Sequence, residues 1–200
     1  MRNMFCPEEY LDLTQFPFPE LFADVRQVWD ALKKLPEFVA GHLQPGCQAI
    51  LTGTPYIAGN VQIGRGTTVE HGAVILGPAI IGENCHIRSS AYIRSNVIVG
   101  NDCVLGNACE FKNAVLFNGA NVPHFSYVGD SILGHKAHLG AGVILSNLKS
   151  TAGNVIVDGT DTGLRKFGAI IGDSANIGCN CVLNPGSVIG RCTALYPNIL

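Results

Sequence analysis

From residue 51 a large apolar residue recurs at every sixth position: Leu51, Ile57, Ile63, Val69, Ile75, Ile81, Ile87, Ile93, Val99, Leu105 and Phe111 stand in unbroken step. A period of six fits neither the 3.6 residues of an α-helical turn nor the simple alternation of hairpin-linked strands. It is the signature of a parallel β-helix built from hexapeptides. Each hexad supplies one short strand and one turn, and its aliphatic side chain points inward to stack on its equivalents in the coils above and below. Glycine follows the aliphatic residue at positions 64, 82, 100 and 106, and the chain combines 24 glycines with only 14% charged residues, which suits short strands joined by tight turns. The expected fold class is mainly β, a parallel β-helix preceded by a short helical segment.

The chain divides on this reading into an N-terminal helical segment, residues 1–45, and a β-helix, residues 46–200. Residues 18–43 read as helix, because Leu21, Phe22, Val25, Val28, Trp29 and Leu32 recur at three- and four-residue spacing. Pro36 is expected to stop or kink it, with a second short helix running on to about Leu43. Such helices are expected to cap or buttress one end of the solenoid, whose terminal coils are otherwise exposed. After Phe111 the step shortens to five at Leu116, returns to six at Val122 and Val128, and shortens again at Leu133. Residues 148–167 carry no hexad rhythm and read as a loop projecting from a corner, before Ile171, Ile177, Leu183, Ile189 and Leu195 restore the step.

A net charge of −2 without a basic stripe argues against nucleic acid or an anionic membrane as partner. No run approaches the ~20 apolar residues of a spanning helix, and acidic residues stand where a signal peptide would be apolar, so a cytoplasmic protein is expected. Six of the eight cysteines (Cys85, Cys103, Cys109, Cys179, Cys181 and Cys192) fall within the repeat and are expected to be reduced and structural. The one-residue spacing of Cys179 and Cys181 does not match zinc ligation, and no metal is expected.

The hexads resemble those of the left-handed β-helix acyltransferases. Residues 110–149, "EFKNAVLFNGANVPHFSYVGDSILGHKAHLGAGVILSNLK", with "RKFGAIIGD" at 165–173, are similar to the acetyltransferase half of the bifunctional N-acetylglucosamine-1-phosphate uridyltransferases. The resemblance implies a left-handed coil, a homotrimer with active sites in the grooves between prisms, and acetyl-CoA as co-substrate. It implies an amino-sugar phosphate, most closely glucosamine 1-phosphate, as acceptor. Residues 1–45 are too few to contain the family's uridyltransferase half. By the same resemblance His124 is the base that takes the proton from the sugar amine, a task suited to an imidazole that titrates near neutrality. Arg94 and Lys112, one coil apart on one face, hold the phosphate, with Glu110 orienting Lys112. Tyr127, Asn147 and Lys166 contact the sugar. His138 stands where the family has an asparagine and Leu148 where it has a tyrosine. Gly140, Ala141, Gly142 and Cys179 line the path of the coenzyme, with Cys179 in place of a serine, and Tyr196 and Pro197 replace small alanines. His71, His86 and His135 match no functional position and are expected in turns.

A second reading keeps the sugar-phosphate pocket and the trimer but loses catalysis, leaving a binding or assembly module, because solenoids host both roles. A third, a metal-dependent hydratase of the same fold, requires three histidines meeting at a subunit interface, which His71, His86, His135 and His138 do not reproduce.

Overall fold

The computed structural model describes residues 5–197. Short strands climb the chain in three parallel sheets, here called faces A, B and C, with eight, eight and seven strands. Face A begins with Gly46–Cys47, face B with Ile50–Leu51 and face C with Tyr56–Ala58, and each later strand pairs with the one a full coil earlier. The result is a β-solenoid of about eight turns that fits the left-handed β-helix. The hexad residues fill its interior: Ile63, Val69, Ile75, Ile81, Ile87, Ile93, Val99, Leu105 and Phe111 are buried in one cluster that continues through Val122, Val128, Leu133 and Leu139. Small residues fill the space beside them. Cys85, Cys103, Cys109 and Cys181 lie within the coils, whereas Cys179 and Cys192 are exposed.

The irregular steps all fall on one edge. Paired residues on face A lie 18 apart at Ile80 and Ile98, then 17 apart at Ile98 and Val115 and again at Val115 and Ile132, then 38 apart at Ile132 and Ile170. Both deletions, and the insertion after them, occur where the chain turns from face C to face A: after Glu110–Lys112, after Tyr127–Gly129 and after Ile144–Leu145. The corner that carries His124, between faces B and C, keeps its full length.

Face A is covered on its outer side. Ile80, Ile98, Val115, Ile132 and Ile170 form an outward ladder, buried together with Leu11, Phe16, Leu21, Phe22, Val28, Trp29, Leu32, Leu35 and Val39 in a second core. The N-terminal segment thus lies along a face rather than capping an end. Apolar side chains on both surfaces of one sheet demand a cover, and the amphipathic segment supplies it. Phe16 stacks on Phe117 with ring centroids 4.5 Å apart, and Phe22 meets the same ring at 5.6 Å.

The helix expected over 18–43 is only partly formed. A short helix occupies Pro7–Tyr10, 3₁₀ turns span Leu13–Gln15 and Pro19–Phe22, and the long helix runs Asp30–His42. Residues 23–29 are turns, with Asp24 in the left-handed region at φ 58°. Pro36 lies inside the long helix without ending it: Leu35 and Val39 on either side are fully buried, and that burial outweighs the lost backbone bond. The inserted segment does not simply project. It forms a hairpin, Ile156–Val157 with Thr160–Asp161, whose Val155 and Val157 join the second core beside Phe167. Among the described residues no helix is long and apolar enough to cross a membrane.

Phe117→Ala is expected to destabilise the fold by about 3–5 kcal/mol, because it empties the contact with both Phe16 and Phe22. Urea unfolding measures the loss, and limited proteolysis should show the N-terminal segment cleaved before the coils.

Candidate active site

The expected site residues gather in two places on either side of face C. At the edge from C to A, left-handed corner residues stack one coil above another: Asn96, Asn113 and Asp130, at φ 60°, 48° and 49°. Asparagine and aspartate tolerate this conformation best among residues with a side chain. The Asp130 side chain is 7% exposed, and its carboxylate collects three donors. Asn113 Nδ2 donates to Oδ1 at 2.9 Å, while Lys112 Nζ at 3.4 Å and the Asn147 amide reach Oδ2. Asn147 Nδ2 also donates to the Tyr127 hydroxyl at 3.1 Å.

One coil earlier, Arg94 donates to Glu110 Oε1 at 2.8 Å and lies 5.9 Å from the centre of the Tyr92 ring. Glu110 pairs with Tyr127 across the ladder, so the two ion pairs are neighbours on one face. The hydrogen bond to Glu110 holds the Arg94 pKa above its ordinary value. Burial, chiefly, raises that of Tyr127; the Asn147 hydrogen bond opposes it, and the charges of Asp130 and Glu110 reinforce it. Glu110 therefore partners Arg94, and Lys112 takes Asp130 instead. Lys166 is exposed beyond the insertion, its backbone bridged to Leu148.

Gly129 makes room for this arrangement. A Cβ there would stand 2.5 Å from the Tyr127 hydroxyl and 2.8 Å from Asn147 Nδ2, so only glycine lets the phenol lie along its own strand to reach Asn147.

His124 ends the face B strand Asn121–His124, at the opposite edge of face C. It is exposed, and among the described residues its imidazole has no hydrogen-bond partner. Phe125 beside it is 62% exposed and left-handed at φ 51°, a costly conformation for a bulky residue, with its ring 5.9 Å from the imidazole. The backbone carbonyl of His124 accepts from the N–H of Gly142, and that of Ala141 from Asn180, so His124, Ala141 and the Cys179 corner stack in successive coils. Gly140 N–H donates to Ile177 within the same stack. A three-residue strand spans about 10 Å. That is the scale separating the imidazole's corner from the Asp130 cluster across face C.

His138 lies apart from both, in the middle of face B, paired with Asn121 and Asn176. Of the other histidines, His71 bonds Thr54 and His135 Nδ1 contacts the Asn118 carbonyl at 2.7 Å, both from turns. His86 instead stands on a face B strand, where it meets Glu70.

The family model of the GMPPB C-terminal domain matches residues 75–166, a span that contains His124 and the Asp130 cluster but not Cys179. A bifunctional sugar-1-phosphate nucleotidylyltransferase/acetyltransferase of Sulfurisphaera tokodaii is 37% identical over 86 residues, 41% of this chain and 21% of that protein. A bifunctional protein GlmU of Pseudoalteromonas atlantica is 32% identical over 153 residues, 71% of this chain and 31% of that protein. These matches fit a hexapeptide-repeat acetyltransferase. The chain spans about a fifth of the length of the first such relatives. Among solved structures, the acetyltransferase domain of PglB from Neisseria gonorrhoeae, in complex with acetyl coenzyme A, aligns with 76% of this chain and 55% of its own, at 12% identity and a TM-score of 0.34.

Within this hexapeptide-repeat frame the expected residues omit Asp130, Asn113, Gly129 and Phe125. Asp130 and Phe125 fall inside "HFSYVGD", and the two five-residue steps flank the same segment. What the linear spacing lacks is the neighbouring coil, which supplies Lys112, Asn113 and Asn147.

Gly129→Ala is expected to push the Tyr127 phenol away from Asn147 and into solvent. Since burial is the main cause of its raised pKa, the Tyr127 phenol should then titrate closer to 10.0. Tyrosine ring-carbon NMR across an alkaline titration, with Tyr127→Phe for assignment, measures the change.

Proposed function

We propose that the chain is an acetyl-CoA-dependent N-acetyltransferase whose acceptor is an amino-sugar phosphate, glucosamine 1-phosphate being the first to test. The observation that carries this reading is the pairing of an exposed, unpartnered imidazole at one edge of face C with a cluster of cations, amide and phenol at the other. The relatives' names support this reading, as the Sulfurisphaera protein is described as both a sugar-1-phosphate nucleotidylyltransferase and an acetyltransferase.

In this mechanism Arg94 and Lys112 turn from their carboxylates toward the acceptor's phosphate, Arg offering a fork of donors and Lys a point charge. Tyr127 and Asn147 orient the sugar, Lys166 closes from beyond the insertion, and His138 contributes from face B. The acceptor amine attacks the thioester carbonyl, His124 Nδ1 or Nε2 takes the amine proton, and the tetrahedral intermediate collapses to the amide as the C–S bond breaks and the same proton passes to the sulfur, giving coenzyme A thiol. A thioester is already activated, so positioning and proton transfer carry the rate. The backbone along Gly140, Ala141 and Gly142, with Cys179 one coil on, holds the pantetheine arm. Among the described residues no side-chain hydrogen bond or ion pair joins the two places within one chain, and a homotrimer would bring one subunit's histidine corner beside another's face C. Exposed Tyr56, Tyr92, Ile144 and Val182 on face C suit such an interface.

The second reading is a sugar-phosphate-binding module without turnover; in either, a phosphate must compete for Arg94 and Lys112 with the carboxylates they already hold. Coenzyme A release, measured against a panel of amino-sugar 1-phosphates and nucleotide-linked amino sugars, separates the two. Turnover is expected on at least one; binding without any turnover supports the module. His124→Ala is expected to lower kcat by about a hundred- to ten-thousand-fold with the assembly and the thermal unfolding profile retained. Unchanged turnover removes the assigned role.

A further inference from the structure

We propose that Asp130 is a positioning residue that sets which atoms Tyr127 and Asn147 present to the acceptor, a role that rests on the acetyltransferase reading above. An ionised carboxylate accepts hydrogen bonds and donates none. Whatever amide approaches it must therefore turn its nitrogen inward. Asn147 does so: Nδ2 is committed to Asp130 and to the Tyr127 hydroxyl, and among the described residues the amide oxygen has no hydrogen-bond partner. Tyr127 is fixed in turn. Its oxygen accepts from Asn147, so its own proton is directed elsewhere, and among the described residues no acceptor takes it.

The consequence is a pair of unlike groups side by side on face C. Asn147 offers an acceptor, suited to a sugar hydroxyl or an amine N–H, and Tyr127 offers a donor, suited to a phosphate oxygen. Without the carboxylate the amide is free to rotate by half a turn, and both polarities reverse. Asp130 itself is held by Asn113 on its other oxygen and by its backbone N–H, which donates to the Lys112 carbonyl at 2.9 Å. It is 5% exposed and does not touch the acceptor; it acts through its neighbours.

The order of dependence is testable by a cycle of substitutions. Asp130→Asn keeps the shape but offers either an amide nitrogen or an oxygen to Asn147. It is expected to raise the acceptor KM about tenfold or more, while kcat and the acetyl-CoA KM stay within threefold. Asn147→Ala should raise the acceptor KM similarly, and the double variant no further than either alone, because both break one chain of contacts. A merely structural Asp130 would change stability and every kinetic constant together, or add to the effect of Asn147→Ala; either result overturns the proposal.

Two readouts do not depend on turnover. In Asp130→Asn the Tyr127 phenol should titrate at higher pH than in the parent, since the rotated amide no longer donates to its oxygen and that loss outweighs the loss of the Asp130 charge. In the parent protein, NMR should detect a scalar coupling through the hydrogen bond from the Asn147 side-chain nitrogen to the Asp130 carboxyl carbon. This second measurement stands even where Asp130→Asn does not fold, and its absence overturns the proposal. A coupling present in a protein without acetyl transfer supports the positioning geometry and refutes the acetyltransferase reading alone.

Discussion

The stack of one aliphatic side chain per hexad governs everything else in this molecule. Each interior residue rests on the one a coil below, and the backbone of every strand bonds to the strand beneath it, so corners as well as strands are held in register. A residue deleted or inserted at a corner cannot be absorbed along the strand without turning the stack inside out. It has to be absorbed in the corner itself. That is why the irregularities of this chain collect at one edge, and why that edge differs chemically from the other two.

The same constraint turns sequence separation into proximity. Asn113, Asp130 and Asn147 are 17 positions apart and touch because they occupy the same place in successive coils, and Lys112 reaches Asp130 from the position beside Asn113. Their charges are close to balanced, with Arg94 and Lys112 against Glu110 and Asp130. Each pair is partly exposed on the cation's side, so the energetic worth of the pairing is modest and an incoming anion competes on reasonable terms. The buried carboxylate is the fixed member, and the half-buried amide, phenol and ammonium arrange themselves around it.

Much of the solenoid is legible in the sequence because a period of six is long-lived and interior positions admit few residue types. Leu51 to Phe111 announce the stack without help from any other part of the chain. The second core is harder to read. Ile80, Ile98, Val115, Ile132 and Ile170 each precede a stacked residue, but they recur only on every third hexad, and that rhythm emerges once the hexads are sorted into faces. The helical stripe from Leu21 to Leu32 is legible as burial and not as helix: its residues are indeed mostly buried, yet turns at residues 23–29 carry them there. His124, Tyr127, Lys112 and Asn147 are legible through resemblance, whereas Asp130 acquires meaning only from the coils on either side.

The cover over face A sets a timetable for folding. Coils can be added singly, each resting on the last, as the chain emerges. The N-terminal segment cannot settle in that way, because its anchors come late: the backbone N–H of Asp12 donates to Asp173 Oδ2 at 2.6 Å across 161 residues, and Ile170 completes the apolar ladder. This segment, made before the coils, is therefore among the last parts of the fold to gain all its partners. Wherever a growing coil lacks that cover, its outward aliphatic side chain stands open to water, an adhesive surface that the finished protein conceals.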